Sequence, residues 1–243
     1  MNDRSTSIYD VQGVKKSYGN HTILNIRRLE FHRGTIYGIV GPIGSGKSTL
    51  FNILAGLKKP DEGIVKYDDA EFKTNWWGKL RSLSEIALAN VDYISKGLKV
   101  ADVVKSVDKN HLEKRVAKYF IQGSFSFLLN RKVNDLSPGE LAWLNIVISL
   151  ESDPRVLMID DYGVFFDATM EADFRKKLIR MNKNLGTTII LAASSDQNIK
   201  RIASVLIYLD NGHISKIRPG AGRGNFEKDR GRQPRQRRQR NLR

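Results

Sequence analysis

The sequence predicts an α/β fold with a mixed sheet, an N-terminal antiparallel β part and a helical insertion, and three patterns support this prediction. Residues 35–57 read as a buried strand, a glycine-rich turn and a helix with apolar residues at helical spacing. Two further short apolar runs, at 156–159 and 187–192, are typical of strands buried on both faces of a parallel sheet. The run 206–217 predicts a hairpin, because an Asn-Gly pair at 211–212 suits a tight turn between two strands.

The other elements follow from local patterns in chain order. Short β-rich runs predict strands at 8–14 and roughly at 26–31. Apolar spacing predicts a largely helical region from about 99 to 150 and a helix at 169–184. The order is therefore α/β with a helical insertion.

We expect one domain and a tail. No internal repeat is visible, so residues 1–217 form one predicted domain, with a helical subdomain at about 95–150. A length of 243 residues and a hydrophobic fraction of 40% suffice for a core, which excludes a wholly disordered chain. Residues 218–243 hold ten Lys or Arg and two acidic residues, a net charge of +8 out of the chain's +15. We expect this Arg-rich tail to be disordered.

Composition also bounds the cellular setting. Cysteine is absent, which excludes disulfides and thiolate metal sites and fits a reducing compartment. The N-terminus lacks the order of a signal peptide, and the longest apolar runs fall far short of the ~20 residues that span a bilayer. We expect a soluble or peripheral chain, so a role in transport would require separate membrane subunits.

The sequence GPIGSGKST at 41–49 matches the Walker A pattern in full, in the required context of strand, glycine loop and helix. Its glycines let backbone N–H groups turn inward around phosphates at the positive end of the helix. Lys47 would reach the β- and γ-phosphates, and Ser48 would bind Mg²⁺. The predicted ATP-binding residues of this loop are Gly41, Pro42, Ile43, Gly44, Ser45, Gly46, Lys47, Ser48 and Thr49.

A carboxylate follows the predicted strand at 156–159. Asp160 fits the Walker B position, where an acid at the end of a strand holds Mg²⁺ directly or through water. We expect the two motifs on neighbouring strands, with Ser48 and Asp160 as the residues that hold the metal. A strand-end acid that only caps the next turn is the alternative.

The segment DLSPGE at 135–140 resembles the signature sequence of ATP-binding cassette (ABC) proteins, usually written LSGGQ. Alone the match is weak, because Ser-Pro-Gly is also ordinary turn chemistry before a helix. Its place between the two phosphate motifs makes it specific, so residues 8–217 resemble the nucleotide-binding domain of an ABC transporter, a P-loop NTPase. The signature positions are Leu136, Ser137, Pro138, Gly139 and Glu140.

This resemblance implies a dimer that sandwiches two Mg-ATP molecules, each between the Walker A loop of one subunit and the signature of the other. Ser137 and Gly139 would then face the γ-phosphate of the partner's nucleotide, whereas Pro138 has no N–H to donate. Tyr18 stands where the family stacks an aromatic ring on adenine, although a packed or surface tyrosine is the alternative. The implied partners are a second nucleotide-binding subunit and integral membrane permeases, on the cytoplasmic, inner face of a membrane.

Three positions depart from the family pattern. The glutamate that orients and deprotonates water is replaced by Asp161, the γ-phosphate histidine by Ser195, and the glutamine near the permease contact by Asn90. All three changes shorten the side chain and none touches the phosphate loop. We therefore expect ATP binding with slow hydrolysis, because a misplacement of ~1 Å can cost ~10²-fold in rate. A backbone shift that restores the Asp161 carboxylate is the alternative.

Other functions stay open on the sequence alone. A regulatory, ATP-switched scaffold of a membrane complex would bind ATP with little hydrolysis. The basic tail suits anionic lipid or, in a nucleic-acid or ribosome-associated ABC protein, RNA; RNA is less favoured because Phe226 is the tail's one aromatic ring. Trp76 and Trp77 precede Asn90, and we expect at least one of them to pack in the core.

Overall fold

Two β-sheets and four α-helices make up the part of the chain that the computed structural model describes, which is residues 6–78, 80–89, 97–107, 126–164, 166 and 168–222. The strands are β1 (Ser7–Tyr18), β2 (His21–His32), β3 (Ile36–Val40), β4 (Glu62–Tyr67), β5 (Ala70–Glu71), β6 (Ile86–Ala89), β7 (Val156–Ile159), β8 (Thr188–Ala193), β9 (Val205–Asp210) and β10 (His213–Pro219). The α-helices are α1 (Lys47–Leu54), α2 (Val100–Val107), α3 (Pro138–Glu151) and α4 (Ala168–Leu185). Short 3₁₀ turns lie at Ser126–Asn130, Val133–Asp135 and Ile199–Arg201.

The N-terminal sheet is antiparallel, with the strand order β2-β1-β4-β5. Strand β1 continues past residue 14, where the apolar pattern ends, as far as Tyr18. The extra residues are polar because they face water and pair with acids near strand β4: the Lys15 ammonium lies 2.8 Å from the Glu62 carboxylate. A solvated ladder of this kind leaves no hydrophobic signal, so the sequence predicted strands that were too short.

The second sheet is mixed, with the strand order β10-β9-β3-β8-β7-β6. Strands β9, β3, β8, β7 and β6 are parallel, and β10 pairs antiparallel with β9. Strand β8 separates β3 from β7, so the expectation that the two phosphate motifs lie on neighbouring strands is wrong. Strand order depends on crossover connections between distant segments, and a local apolar pattern does not encode those connections.

The mixed sheet is buried on both faces, which explains its continuous apolar strands. All six residues of β8 are buried. Ile189 and Leu191 pack in a cluster that includes residues of α3 and α4. Ile190 and Ala192 point the other way, into a cluster with Phe31 of β2 and residues of α1. The sheet therefore lies between helices on one side and the antiparallel sheet with α1 on the other.

The predicted fold class is confirmed, and the signature segment lies at the start of α3 in the helical insertion. Asn90 and residues 108–125 and 223–243 lie outside the described residues. No helix in the described ranges is both long and apolar enough to cross a bilayer. The expectation of a buried tryptophan in the Trp76–Trp77 pair is wrong: these side chains are 89% and 83% exposed.

Gly38 gives the first prediction, because a Cβ there would lie 2.1 Å from Ile199 Cγ2 and 2.8 Å from Leu206 Cδ2. Replacing Gly38 by Ala should therefore lower the free energy of unfolding by about 1–3 kcal/mol, as expected for overpacking in a core. Urea unfolding followed by circular dichroism measures this. Gly97→Ala is the matched control, since a Cβ there meets nothing within 4 Å. Equal unfolding midpoints for the two variants would contradict the packing described here.

Candidate functional site

The loop between β3 and α1 is shaped by glycines with left-handed backbone. Gly44 has a φ of 82° and Gly46 a φ of 98°, a region that glycine adopts without a steric penalty. Gly46 is the N-cap of α1 and supplies no side-chain cap. The first N–H groups of the helix are thus left for an external acceptor, which is the arrangement that binds phosphate at helix N-termini.

Strand β9 and the turn after it pack against this loop. A Cβ on Gly41 would lie 2.4 Å from the Leu209 carbonyl oxygen and 2.5 Å from Ser45 Oγ, so any side chain would fill the cradle. The Gly212 N–H, in the turn between β9 and β10, donates to the Ser45 carbonyl oxygen at 3.2 Å. Sequence reasoning missed this support from the C-terminal hairpin, because no local pattern links it to the loop.

Lys47 places a positive charge inside the loop. Its side chain is 7% exposed, and its Nζ donates to the carbonyl oxygens of Gly41 at 2.8 Å and Pro42 at 2.9 Å. The Ser45 hydroxyl oxygen is buried without a hydrogen-bond partner among the described residues. A cradle with a buried cation, an unpartnered hydroxyl and open helix N–H groups fits a triphosphate in both charge and donor chemistry.

Asp160, at the end of β7, lies next to the start of α1. The pKa of its carboxyl is raised, mainly because the group is buried, and the nearby Asp161 carboxylate adds to this rise. A hydrogen bond with the Ser48 side chain and the charge of Lys47 act in the opposite direction. Ser48 and Asp160 are thus brought together from two elements far apart in the chain. A hydroxyl and a carboxylate are oxygen donors of the kind that Mg²⁺ prefers, so this pair fits the predicted metal.

Asp161 occupies an unexpected backbone conformation. Its φ is 51°, in the left-handed region where aspartate is tolerated much better than longer residues. Its N–H donates to Asp160 Oδ1 at 3.1 Å, and the next N–H, of Tyr162, donates to the Ala192 carbonyl oxygen at 2.7 Å. The turn after β7 is therefore hydrogen-bonded to β8. This turn sets the direction of the Asp161 Cα–Cβ bond, and the Asp161 side chain is also one methylene shorter than glutamate.

Ser195 lies in the exposed bend that follows β8. Because β3, β7 and β8 are parallel neighbours in the order β3-β8-β7, their carboxyl ends place the loop, Asp160, Asp161 and Ser195 along one edge of the sheet. Asn90, the third predicted departure from the family pattern, lies outside the described residues.

The signature segment begins helix α3 with a capping box. The Ser137 hydroxyl accepts from the Glu140 N–H at 3.3 Å, and the Glu140 carboxylate accepts from the Ser137 N–H at 2.7 Å. Pro138 takes the first helical position, where its missing N–H breaks no helix bond. Sequence analysis missed this box, although the Ser-x-x-Glu spacing is a signal that could have predicted it. Leu136 is half-buried and packs against the core beside it.

Glu140 is also paired with a cation. Partial burial acts to raise the pKa of its carboxyl, but the Ser137 hydrogen bonds and the Arg131 guanidinium, 3.1 Å away, hold that pKa below its ordinary value. The acid at the last position of the signature is thus ionised and paired with an arginine of its own subunit.

Tyr18, at the end of β1, lies under two lysines. Its side chain is 44% exposed, and its hydroxyl accepts from Lys58 Nζ at 2.8 Å. The Lys58 ammonium also lies 4.9 Å from the ring centroid, and the Lys16 ammonium lies 5.8 Å from it. No local pattern predicts the role of Lys58, which follows α1 and contacts Tyr18 across 40 residues of chain.

Asp160 gives a prediction about stability. The folded carboxyl has a raised pKa and holds its proton more tightly than the unfolded one, so ionised Asp160 destabilises the fold above the folded pKa. Asp160→Asn should therefore raise the free energy of unfolding at neutral pH in metal-free buffer. The gain should disappear as the pH falls below the ordinary aspartate pKa, since both folded and unfolded wild-type carboxyls are then protonated.

The measurement is urea unfolding of both proteins across a pH series. Asp173→Asn, on the exposed face of α4, is the control and should stay within about 0.5 kcal/mol of wild type. A variant that is no more stable than wild type at neutral pH would show that burial does not penalise this charge.

Known proteins share the sequence and the fold of this chain. The model of the family described as "ABC transporter" matches residues 24–162. The tungstate uptake ATP-binding protein of Peptoclostridium acidaminophilum is 27% identical over 212 residues, which cover 85% of this chain and 96% of the relative. The sulfate/thiosulfate import ATP-binding protein of Acinetobacter baylyi is 27% identical, with 90% and 63% covered. The spermidine/putrescine import ATP-binding protein of Bacteroides fragilis is 28% identical, with 88% and 47% covered. The chain thus spans about half to two thirds of the length of the last two relatives.

Solved structures show the same fold. A cassette from Clostridium perfringens, part of the ABC transporter complex cbiONQ, superposes with a TM-score of 0.69 at 23% identity, covering 93% of this chain and 92% of that one. A dimeric bacterial ABC transporter cassette superposes with a TM-score of 0.73 at 22% identity, covering 87% and 98%. The family match spans more than half of the described domain and includes both phosphate motifs. The chain therefore belongs to the ABC transporter family.

Proposed function

We propose that this chain is the ATP-binding subunit of an ABC transport system. It binds Mg-ATP in a sandwich dimer that drives or gates separate membrane permeases, and its own Walker site hydrolyses ATP slowly. The observation that carries the proposal is the gathering of Lys47, Ser48 and Asp160 at one edge of the sheet. The ABC transporter family binds ATP, and the residues at this edge have the chemistry for it.

Binding follows from the loop and the helix start. The N–H groups of the glycine loop and of α1 bind the phosphate oxygens, and Lys47 exchanges its two carbonyl acceptors for phosphate. Ser48 and Asp160 would hold Mg²⁺, which would supply positive charge to a bound triphosphate. The exposed ring of Tyr18 stacks on adenine once the Lys58 ammonium moves off its face.

Hydrolysis is the weak part of the site. A positioned general base contributes typically ~10²–10⁴-fold to rate. Asp161 has the right functional group, but it is one methylene shorter than glutamate and starts from a left-handed backbone. Ser195 can donate a hydrogen bond to phosphate, but it has neither the reach nor the positive charge of a histidine. Both departures affect the attacking water and leave the phosphate loop intact.

The dimer follows from the signature segment. Ser137 and Gly139 are presented at the N-terminus of α3, where helix N–H groups and the macrodipole favour an anion. In a homodimer both sites are slow. In a heterodimer this chain owns the slow site and lends its signature to a competent partner. A solved relative of the same fold is a dimeric cassette, which supports this arrangement.

The permease partners are proposed from the relatives. Those named above serve tungstate, sulfate or thiosulfate, and polyamine import, which are chemically unlike cargoes. We therefore propose attachment to membrane permeases at the cytoplasmic face and assign no cargo. Residues 1–217 are the proposed ATP-binding domain, and 218–243 the proposed tail.

A second function is favoured by one observation. Asp161 and Ser195 depart from the family pattern while the phosphate loop keeps it, as expected for an ATP-switched scaffold that closes a dimer and gates a membrane complex. In that case vesicles containing the assembled complex would show no transport that depends on Lys47. ATP-driven uptake that is lost in Lys47→Ala would assign the chain to transport.

Nucleotide binding is the first test of the proposal. Saturating Mg-ATP should raise the unfolding free energy of the wild type by about 2.7 kcal/mol at a hundredfold excess over Kd. Lys47→Ala should lose most of this gain because the buried phosphate partner is removed. Differential scanning fluorimetry with an ATP titration measures the effect, and Lys176→Ala, an exposed residue of α4, is the control. No stabilisation of the wild type would refute the proposal.

Turnover is the second test. Restoring the missing groups with Asp161→Glu and Ser195→His together should raise the steady-state ATPase rate of the purified chain by about 10–10²-fold. Asp161→Glu should also cost about 1 kcal/mol of stability, because glutamate fits the left-handed backbone less well. Asp161→Asn keeps the size of the side chain and removes the base, so it should give no gain. A wild-type homodimer with the turnover of an ordinary ABC ATPase would contradict the claim of a slow site.

A further inference from the structure

The link between β5 and β6 forms a small antiparallel hairpin that the proposed function does not use. We call residues 73–81 the tryptophan hairpin; residue 79 lies outside the described residues. Thr74 and Leu80 pair across it, and the Arg81 N–H donates to the Lys73 carbonyl oxygen at 2.9 Å. The Gly78 N–H donates to the Asn75 carbonyl oxygen at 2.9 Å, which closes the tip.

Two tryptophans occupy this tip and face water. Trp76 is 89% exposed and Trp77 is 83% exposed. Their rings pack edge to face, with centroids 5.6 Å apart and an interplanar angle of 90°. Each indole has a large apolar surface and one N–H donor. Exposing two adjacent rings to water is therefore unfavourable in free energy, and contact with an apolar layer or surface would be favourable.

The hairpin is anchored at its base. Phe72 stacks on Tyr67 of the core at a centroid distance of 6.2 Å. A Cβ on Gly56 would lie 2.8 Å from the Phe72 ring, so this ring is also packed against the end of α1. The tip therefore projects from a fixed base, and its rings are presented outward together.

Positive charge surrounds the tip. Between Glu71 and Glu85 the sequence contains three basic residues and no acidic residue. Lys73 and Arg81 are exposed at the two ends of the hairpin. A groove of about 270 Å³ beside the hairpin has two basic residues, Lys58 and Lys59, and one acid, Glu71, in its lining. Two exposed basic residues thus flank the hairpin that carries the tryptophans.

We propose that the tryptophan hairpin is a membrane anchor whose occupant is the headgroup region of an anionic bilayer. Tryptophan prefers the boundary between headgroups and acyl chains, where its ring is in an apolar layer and its N–H finds an acceptor. Lys73 and Arg81 remain among lipid phosphates and carboxylates beside the inserted rings.

A lipid surface suits this feature better than a protein pocket. A pocket that buried both rings would also bring Lys73 and Arg81 under its rim, and it would have to supply a paired acid for each of them. A bilayer surface provides many anions at no fixed position. The formal charge of +15 on the whole chain gives the same preference for an anionic plane. This anchor is independent of nucleotide binding.

The fluorescence of the full chain offers a direct test, because the chain has three tryptophans and the third, Trp143, is 4% exposed. Vesicles of equal parts phosphatidylcholine and phosphatidylserine should shift the tryptophan emission to the blue. Brominated phosphatidylcholine in those vesicles should quench Trp76 and Trp77. Pure phosphatidylcholine should give a much weaker response. Exchanging Lys73 and Arg81 for Gln should weaken binding about fivefold per charge at low salt.

The double variant Trp76→Ala/Trp77→Ala should lose the quenching and bind the anionic vesicles at least tenfold more weakly. Its urea midpoint should match wild type, since both rings are exposed. Leu185→Ala, which removes another exposed apolar side chain at the end of α4, is the control and should bind as wild type does.

Two outcomes would overturn the proposal. If the chain sediments with anionic vesicles but brominated lipid leaves its emission unquenched, the basic tail alone binds the membrane. If vesicles have no effect while purified permease shifts the emission, the hairpin is a protein contact. The quenching measurement on wild type decides this even if the double variant fails to fold.

Discussion

Strand β3 is hydrogen-bonded along both of its edges, to β8 on one side and β9 on the other, and all five of its residues are buried. The phosphate loop starts where this strand ends, so the sheet fixes the position of its first residue. Gly41 donates its N–H to the Ala193 carbonyl oxygen at the end of β8. The cradle is thus an extension of the sheet, and its shape depends on the packing of strands from three distant parts of the chain.

This arrangement separates the residues proposed to bind phosphate from the residues proposed to act on water. Lys47 and Ser48 lie on the loop and α1, while Asp161 and Ser195 lie in the turns after β7 and β8. Asp160 joins the two groups, because it contacts Ser48 through its side chain and receives the N–H of Asp161. Burial is the largest cause of its raised pKa.

Local chemistry made much of this predictable. The apolar runs gave β7 and β8 to within one residue, and the Asn211-Gly212 pair marked the final hairpin. The features that could not be predicted involve residues far apart in the sequence. They are the position of β8 between β3 and β7 and the contact of Lys58 with Tyr18. The left-handed backbone of Asp161 was also hidden, since aspartate fits several conformations. The exposure of Trp76 was misjudged because size and apolarity alone predict burial.

The position of β3 has a consequence for how the protein is made. Its two edge partners, β8 and β9, are encoded some 150 residues after it, so a chain still being synthesised holds the phosphate loop without its flanking strands. Contacts between residues so far apart in sequence form late in folding. The chain loses the entropy of closing the intervening loop before the new contacts stabilise it. A ligand of this loop therefore cannot assist folding before those two strands are made. Loss of β9 and β10 would remove the residues that pack against the phosphate loop, although these strands lie far from the loop in the sequence.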